Sequence, residues 1–142
     1  AMGEALGEAV LAAMGKLHAL AGGPVAVSSR PWELVSKRQW RDTPGREQGK
    51  AITTEVQALR AGDLAMVAVP GELFSEYVAM FREASPLPET AVISIANDSV
   101  GYLPVDEAHG QGGHEVTHAA TEAKIEQALQ QHVRDALQGL MG

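Results

Sequence analysis

The sequence predicts a mixed α/β fold, a central mixed β-sheet flanked by amphipathic helices, carried by one domain over residues 1–142. Three observations carry that expectation. Two short runs, residues 64–69, continuously apolar, and residues 91–96, apolar but for Ser94, have the length and composition of buried strands. A stretch with helical apolar spacing separates them, and two more such stretches lie at the chain ends. The order helix, strands, helix, strand, helix places polar residues where buried strands give way to loops.

Residues 4–21 repeat Leu6, Val10, Ala13, Leu17 and Leu20 at helical spacing, and Gly22-Gly23-Pro24 supplies a stop. An amphipathic helix is expected there. Residues 25–27 and 32–35 are rich in strand formers, but Pro31 predicts that a strand here is interrupted or lies at an edge. Residues 37–50 are polar, hold Lys37, Arg38, Arg41, Arg46 and Lys50, and centre on Pro44-Gly45. They read as a solvated loop. Residues 52–59 form a strand that pairs as a hairpin with 64–69 through Ala61-Gly62-Asp63, the second strand buried on both faces. Pro70-Gly71 breaks that strand, and Leu73, Phe74, Tyr77, Val78 and Phe81 mark a helix reaching residue 84. Glu72 then sits at a strand-to-helix junction, where a helix N-terminus by itself favours an acid. Asn97-Asp98 ends the strand at 91–96, Gly110-Gln111-Gly112-Gly113 reads as a flexible loop, and Ile125, Leu129, Val133, Leu137 and Leu140 form a long C-terminal amphipathic helix.

Composition narrows the chemistry. Eleven basic against eighteen acidic side chains give a net charge of −7, which argues against a nucleic-acid partner. With 45% hydrophobic and 20% charged residues the chain has the apolar area to fold. It has no cysteine, so disulfides, thiolate ligands and a cysteine nucleophile are all excluded. A metal here must use nitrogen or oxygen ligands. No run approaches the roughly 20 apolar residues of a transmembrane segment, and no basic region precedes an apolar stretch as in a signal peptide. The compartment is not specified.

His114-Glu115-Val116-Thr117-His118 satisfies the H-E-x-x-H pattern, in which two histidines four apart on a helix hold zinc and the glutamate activates water. That would make a small zinc peptidase. Three of the four preceding residues are glycine, which disfavours a helix already running, and no third ligand follows at the spacing of the extended motif. A folded, non-catalytic interaction module whose amphipathic ends pack on another chain is the third reading.

Val67-Ala68-Val69-Pro70-Gly71-Glu72, then Asn97-Asp98-Ser99-Val100-Gly101-Tyr102-Leu103-Pro104, then Gly112-Gly113-His114-Glu115 occur in an order and spacing that resemble the C-terminal part of the neutral, non-lysosomal ceramidase catalytic domain. The opening helix with Ala5-Leu6-Gly7 and Val10-Leu11 is similar too, so the resemblance spans about residues 4–137. It implies a partial domain of a zinc-dependent amidohydrolase of sphingolipid metabolism, cleaving the N-acyl bond of a ceramide-like lipid with zinc-activated water. It also implies site residues: Glu72 and Tyr102 as zinc ligands, and His114 at the place of a family tyrosine that stabilises the oxyanion. The remaining zinc ligands, two histidines, would come from an upstream segment of the same catalytic domain. On this reading the 142 residues alone are inactive and bind zinc weakly or not at all, because catalytic zinc needs about three protein ligands.

Overall fold

A computed structural model describes residues 1–37, 48–121 and 124–142. Arg38, Arg41 and Arg46, and with them most of the expected basic loop, lie outside the described residues.

The first helix, α1 (Met2–Met14), ends at Gly15, short of the expected residue 21, and buries none of its side chains. Its apolar periodicity is real, but among the described residues no sheet or helix covers it. β1 (Val25–Val35) is one continuous eleven-residue strand at a sheet edge, the second of the two arrangements expected from Pro31. An edge of this four-stranded sheet has a row of backbone groups without ladder partners, so a residue lacking an N–H is tolerated there. Proline sets the position of the strand rather than its end.

β2 (Ala51–Ala61) pairs antiparallel with β1 along its length and, through the Gly62-Asp63 turn, antiparallel with β3 (Leu64–Ala68), as expected. Gly62 adopts φ +60, and a Cβ there would meet the Ala21 carbonyl oxygen at 2.1 Å, so conformation and space both require glycine. β3 is not buried on both faces. Ala65 and Val67 are buried, whereas Leu64, Met66 and Ala68 on the other side are only half-buried.

After β3 the chain forms a two-residue strand, β4 (Glu72–Leu73), before α2 (Glu76–Ala84). The expected helix start at residue 73 is therefore three residues early. α2 returns the chain to β5 (Glu89–Ile93), parallel to β3, completing a β-α-β crossover. β5 also ends before the expected residue 96, because Ile95 and Asn97 adopt positive φ and leave the extended region.

β6 (Tyr102–Leu103) pairs parallel with β4 as a second, small sheet. The expected flexible loop at 110–113 overlaps the second half of a helical turn, α3 (Ala108–Gln111), followed after Gly112-Gly113 by another, α4 (His114–Thr117). α5 (Glu126–Gln138) closes the fold.

Hydrophobic patterning explains the layers. Leu129, Val133, Ala136 and Leu137 repeat along one side of α5, and Tyr77 and Phe81 along one side of α2. They join Trp32, Leu34, Ile52, Val56, Ala58, Ala65 and Val67, which come from alternate positions of β1, β2 and β3, in one buried cluster. Both helices thus cover the same face of the sheet. Among the described residues no helix is long and apolar enough to cross a membrane.

Candidate functional site

Polar side chains gather where the parallel strands β3 and β5 end at their carboxyl ends, the position at which open α/β sheets present ligand sites. Pro70 stops the β3 ladder, and a net of backbone bonds redirects the chain. Val100 N–H donates to the Pro70 carbonyl (2.7 Å), Glu72 N–H to the Gly101 carbonyl (2.9 Å) and Ile95 N–H to the Gly71 carbonyl (3.1 Å). The Ser94 hydroxyl donates to the same Gly71 carbonyl (2.7 Å) and accepts from Leu73 N–H (3.0 Å).

This net fixes the register in which Glu72 faces Tyr102 and Leu73 faces Leu103. Paired residues of parallel strands project to the same side, so the carboxylate and the phenol are neighbours. Each is half-buried. The charge of Glu72 is the first cause that pushes the Tyr102 phenol above its ordinary value; partial burial, a hydrogen bond to the same carboxylate and the charge of Glu115 act in the same direction.

The helix-terminus reading of Glu72 does not describe this geometry. Glu72 lies in a strand, and α2 begins at Glu76 behind Ser75.

α4 brings the next group of side chains. Gly112 and Gly113, at φ +73 and +105, turn the chain so that the His114 ring meets Tyr102 edge-on at 5.8 Å between centroids. β6 holds this segment from below, through a bridge between Tyr102 and Ala119 and a bond from Ala120 N–H to the Tyr102 carbonyl (3.0 Å). The Lys37 ammonium donates to the Val116 carbonyl (2.9 Å), tying α4 to the end of β1. The sequence reading placed Lys37 only in a solvated loop. Nothing in its spacing signals a partner 79 residues away.

His114 and His118 do not converge as the H-E-x-x-H geometry requires. Their rings stack at 4.1 Å with 25° between planes, and His118 is the cap of a four-residue turn, its Nδ1 2.9 Å from the His114 carbonyl. Imidazole lone pairs lie in the ring plane, so stacked rings hold them in two near-parallel planes rather than aiming them at one ion between the rings. Among the described residues, no group of three or more histidine, aspartate and glutamate side chains is arranged to hold a metal. The compact peptidase reading loses its geometric basis.

The chain has two tyrosines. Burial, then Glu126, Asp106 and Glu76, drive the Tyr77 phenol far into the alkaline range, so the first tyrosinate to form is that of Tyr102. Glu72→Gln removes the nearest negative charge and is expected to lower the Tyr102 midpoint, followed by tyrosinate absorbance; an unchanged midpoint would contradict the pairing. The sign follows from linkage. A phenol whose folded pKa is raised adds stability that is complete below its unfolded value of about 10 and is lost as pH rises through the folded one.

Fold and site together define a mixed α/β unit with a carboxylate–phenol pair at the carboxyl ends of parallel strands. Among solved structures, a ceramidase complexed with C2 superposes with a TM-score of 0.50 and 17% identity, covering 63% of this chain and 15% of that chain. The neutral ceramidase from Pseudomonas aeruginosa gives 0.49 and 17% over the same shares. The likeness is one of fold, and this chain spans about 15% of the length of the structures it resembles. No family model matches the sequence, and no curated protein matches it.

Proposed function

We propose that this chain supplies part of a composite zinc site in a hydrolase of neutral ceramidase type, which cleaves the N-acyl amide of a ceramide-like lipid. The observation that carries the reading is the pairing of Glu72 with Tyr102, with the His114 ring against the phenol, in a ceramidase-like fold. A carboxylate and a phenol oxygen are donors that zinc accepts, so the residues fit the metal as two of its ligands. The remaining ligands belong to a segment outside these 142 residues, the two histidines implied by the resemblance.

Zinc, when bound, supplies a Lewis acid that polarises the acyl carbonyl and acidifies water. The chain's own residues do the rest. Glu72 brings the formal negative charge that a cation needs. Tyr102 keeps its proton at neutral pH while Glu72 is its nearest charge, and gives it up most readily when a cation screens that carboxylate. His114, held by the Gly112-Gly113 turn, donates an N–H toward the oxygen of the tetrahedral species.

The test uses the chain joined to its upstream segment. Zinc-dependent N-acyl hydrolysis is expected there, abolished by Glu72→Ala and lowered about 10²- to 10³-fold in kcat by His114→Phe, the scale of losing one oxyanion donor. Unchanged turnover in Glu72→Ala rejects the reading. The 142 residues alone are expected to bind zinc weakly or not at all, and stoichiometric, tightly held zinc in the purified chain would contradict the shared site.

A further inference from the structure

α4 is a single helical turn that carries His114, and little of its own structure fixes where it sits. Its bonds close on themselves. Thr117 donates to the Gly113 carbonyl through both its N–H (3.0 Å) and its hydroxyl (2.7 Å), and His118 N–H donates to the His114 carbonyl (2.9 Å). They hold the shape of the turn, not its place. The preceding Gly112 and Gly113, at φ +73 and +105, have no side chains to brace it, and nothing lies within 4 Å of a Cβ at Gly112. None of the four residues of α4 is buried, and Val116 alone of them packs, half-buried, on the core.

Lys37 reaches this segment from the end of β1. Its N–H donates to the Ala120 carbonyl (2.9 Å) and its ammonium to the Val116 carbonyl (2.9 Å), so backbone and side chain grip the chain at two points four residues apart. Ala120 N–H in turn donates to the Tyr102 carbonyl (3.0 Å). The end of β1, the exit of α4 and β6 are thereby joined in one line of bonds. Val116 is two residues after His114, and its carbonyl also accepts Ala119 N–H (3.3 Å). Among the described residues, the Lys37 bond is the only hydrogen bond that α4 receives from outside residues 108–120. A lysine on one of the last carbonyls of a helix is favourable, and an ionised donor makes a bond about twice as strong as a neutral one.

We propose that Lys37 is the positioning residue of His114: its bond to the Val116 carbonyl seats α4 so that the imidazole of His114 lies against the Tyr102 phenol. What His114 does in the reaction rests on the function proposed above, whereas where it lies rests on the geometry alone. Lys37 acts through α4 and touches no reacting group. Without its bond the turn swings about Gly112-Gly113 as a unit. The stack of His114 on His118, at 4.1 Å between centroids and internal to the turn and its cap, travels with it. The edge-on contact of His114 with Tyr102, at 5.8 Å, opens.

Proton NMR of the 142-residue chain reads both ring contacts. Lys37→Met keeps most of the side chain's length and removes the donor. It is expected to abolish the cross-peaks between the His114 and Tyr102 rings and to leave those between His114 and His118, with the signals of the buried Phe81 ring native. Lys50→Met removes the same charge from an exposed position and is expected to change neither contact. Persistence of the His114–Tyr102 cross-peaks in Lys37→Met overturns the proposal. So does loss of both contacts or of the Phe81 signals, which would make Lys37 a support of the turn or of the fold, and so does an equal effect of Lys50→Met, which would make it one of net charge. In the chain joined to its upstream segment, Lys37→Met is expected to lower kcat about 10²-fold, the cost of a misplacement on the order of 1 Å, with KM and zinc content unchanged. A kcat that falls in His114→Phe but not in Lys37→Met also overturns the proposal. A kcat unchanged in His114→Phe rejects the catalytic role of His114 instead, and the cross-peaks then decide its placement by themselves.

Discussion

Gly71→Val is expected to destabilise the chain by more than about 3 kcal/mol and to separate Glu72 from Tyr102 in the same step. A Cβ at Gly71 would lie 2.7 Å from the Gly101 carbonyl oxygen and 2.7 Å from Leu103 Cδ1. Neither neighbour has room to yield. The Gly101 carbonyl accepts the Glu72 N–H that sets the β4–β6 register, and Leu103 is fully buried. Even one added methylene in a filled interior costs about 1 to 3 kcal/mol, and a β-branched side chain adds two more carbons to the same space. Denaturant titration reads the stability, and the Tyr102 tyrosinate midpoint reads the pair: as Glu72 moves away, the midpoint falls toward the ordinary value. Gly110→Ala is the matched control, because nothing lies within 4 Å of a Cβ there. A valine at Gly71 tolerated as easily as that alanine would mean that β4 and β6 are not in close contact.

Phe81→Ala is expected to cost about 3 to 5 kcal/mol, the usual loss when a buried aromatic is truncated and its surroundings collapse only partly. Phe81 has no exposed surface and packs on Tyr77 at 5.5 Å between ring centroids. The two rings are the buried side of α2, the crossover that makes β3 and β5 parallel. Against a total of about 5 to 15 kcal/mol for a domain of this size, such a loss leaves a substantial unfolded fraction. The midpoint of denaturant unfolding measures it. A loss under about 1 kcal/mol would mean that α2 is not seated on the sheet through these rings, and the carboxyl-end site would lose its support with it.

The consequences for function run through the same elements. Glu72 and Tyr102 each sit on a strand of two residues, and neither strand would persist without the bonds made by the Val100 N–H, the Gly101 carbonyl and the Ser94 hydroxyl. The site is therefore as stable as the junction beneath it. A carboxylate and a phenol 30 positions apart meet because two loops, after β3 and after β5, leave the sheet at the same end.

Several elements were legible from local pattern. The β2–β3 hairpin followed from two strand-like runs around Gly62-Asp63, and α5 from leucines and valine at helical spacing. Residue types at the site were visible as well, in Pro70-Gly71-Glu72, in Tyr102 and in the histidines at 114 and 118. Other features were not. Pro31 allowed either an interrupted strand or an edge strand, and the choice between them, an unbroken β1 at the edge, is a property of neighbours. β4 and β6 are too short to have a period. The H-E-x-x-H string matches a motif in letters, while the stacking of its two rings depends on the Gly112-Gly113 turn and on Tyr102 below.

By itself the sequence determined the fold class, the hairpin, the faces of α2 and α5, and which side chains are able to do chemistry, because each rests on residue type and spacing along at most a few turns or strand positions. Only the tertiary structure decided that Glu72 is a strand residue opposite Tyr102, that His114 stacks on His118 instead of converging with it, and that α1 buries none of its side chains. Those outcomes are set by contacts between residues tens of positions apart, and such contacts form only when the whole core has closed.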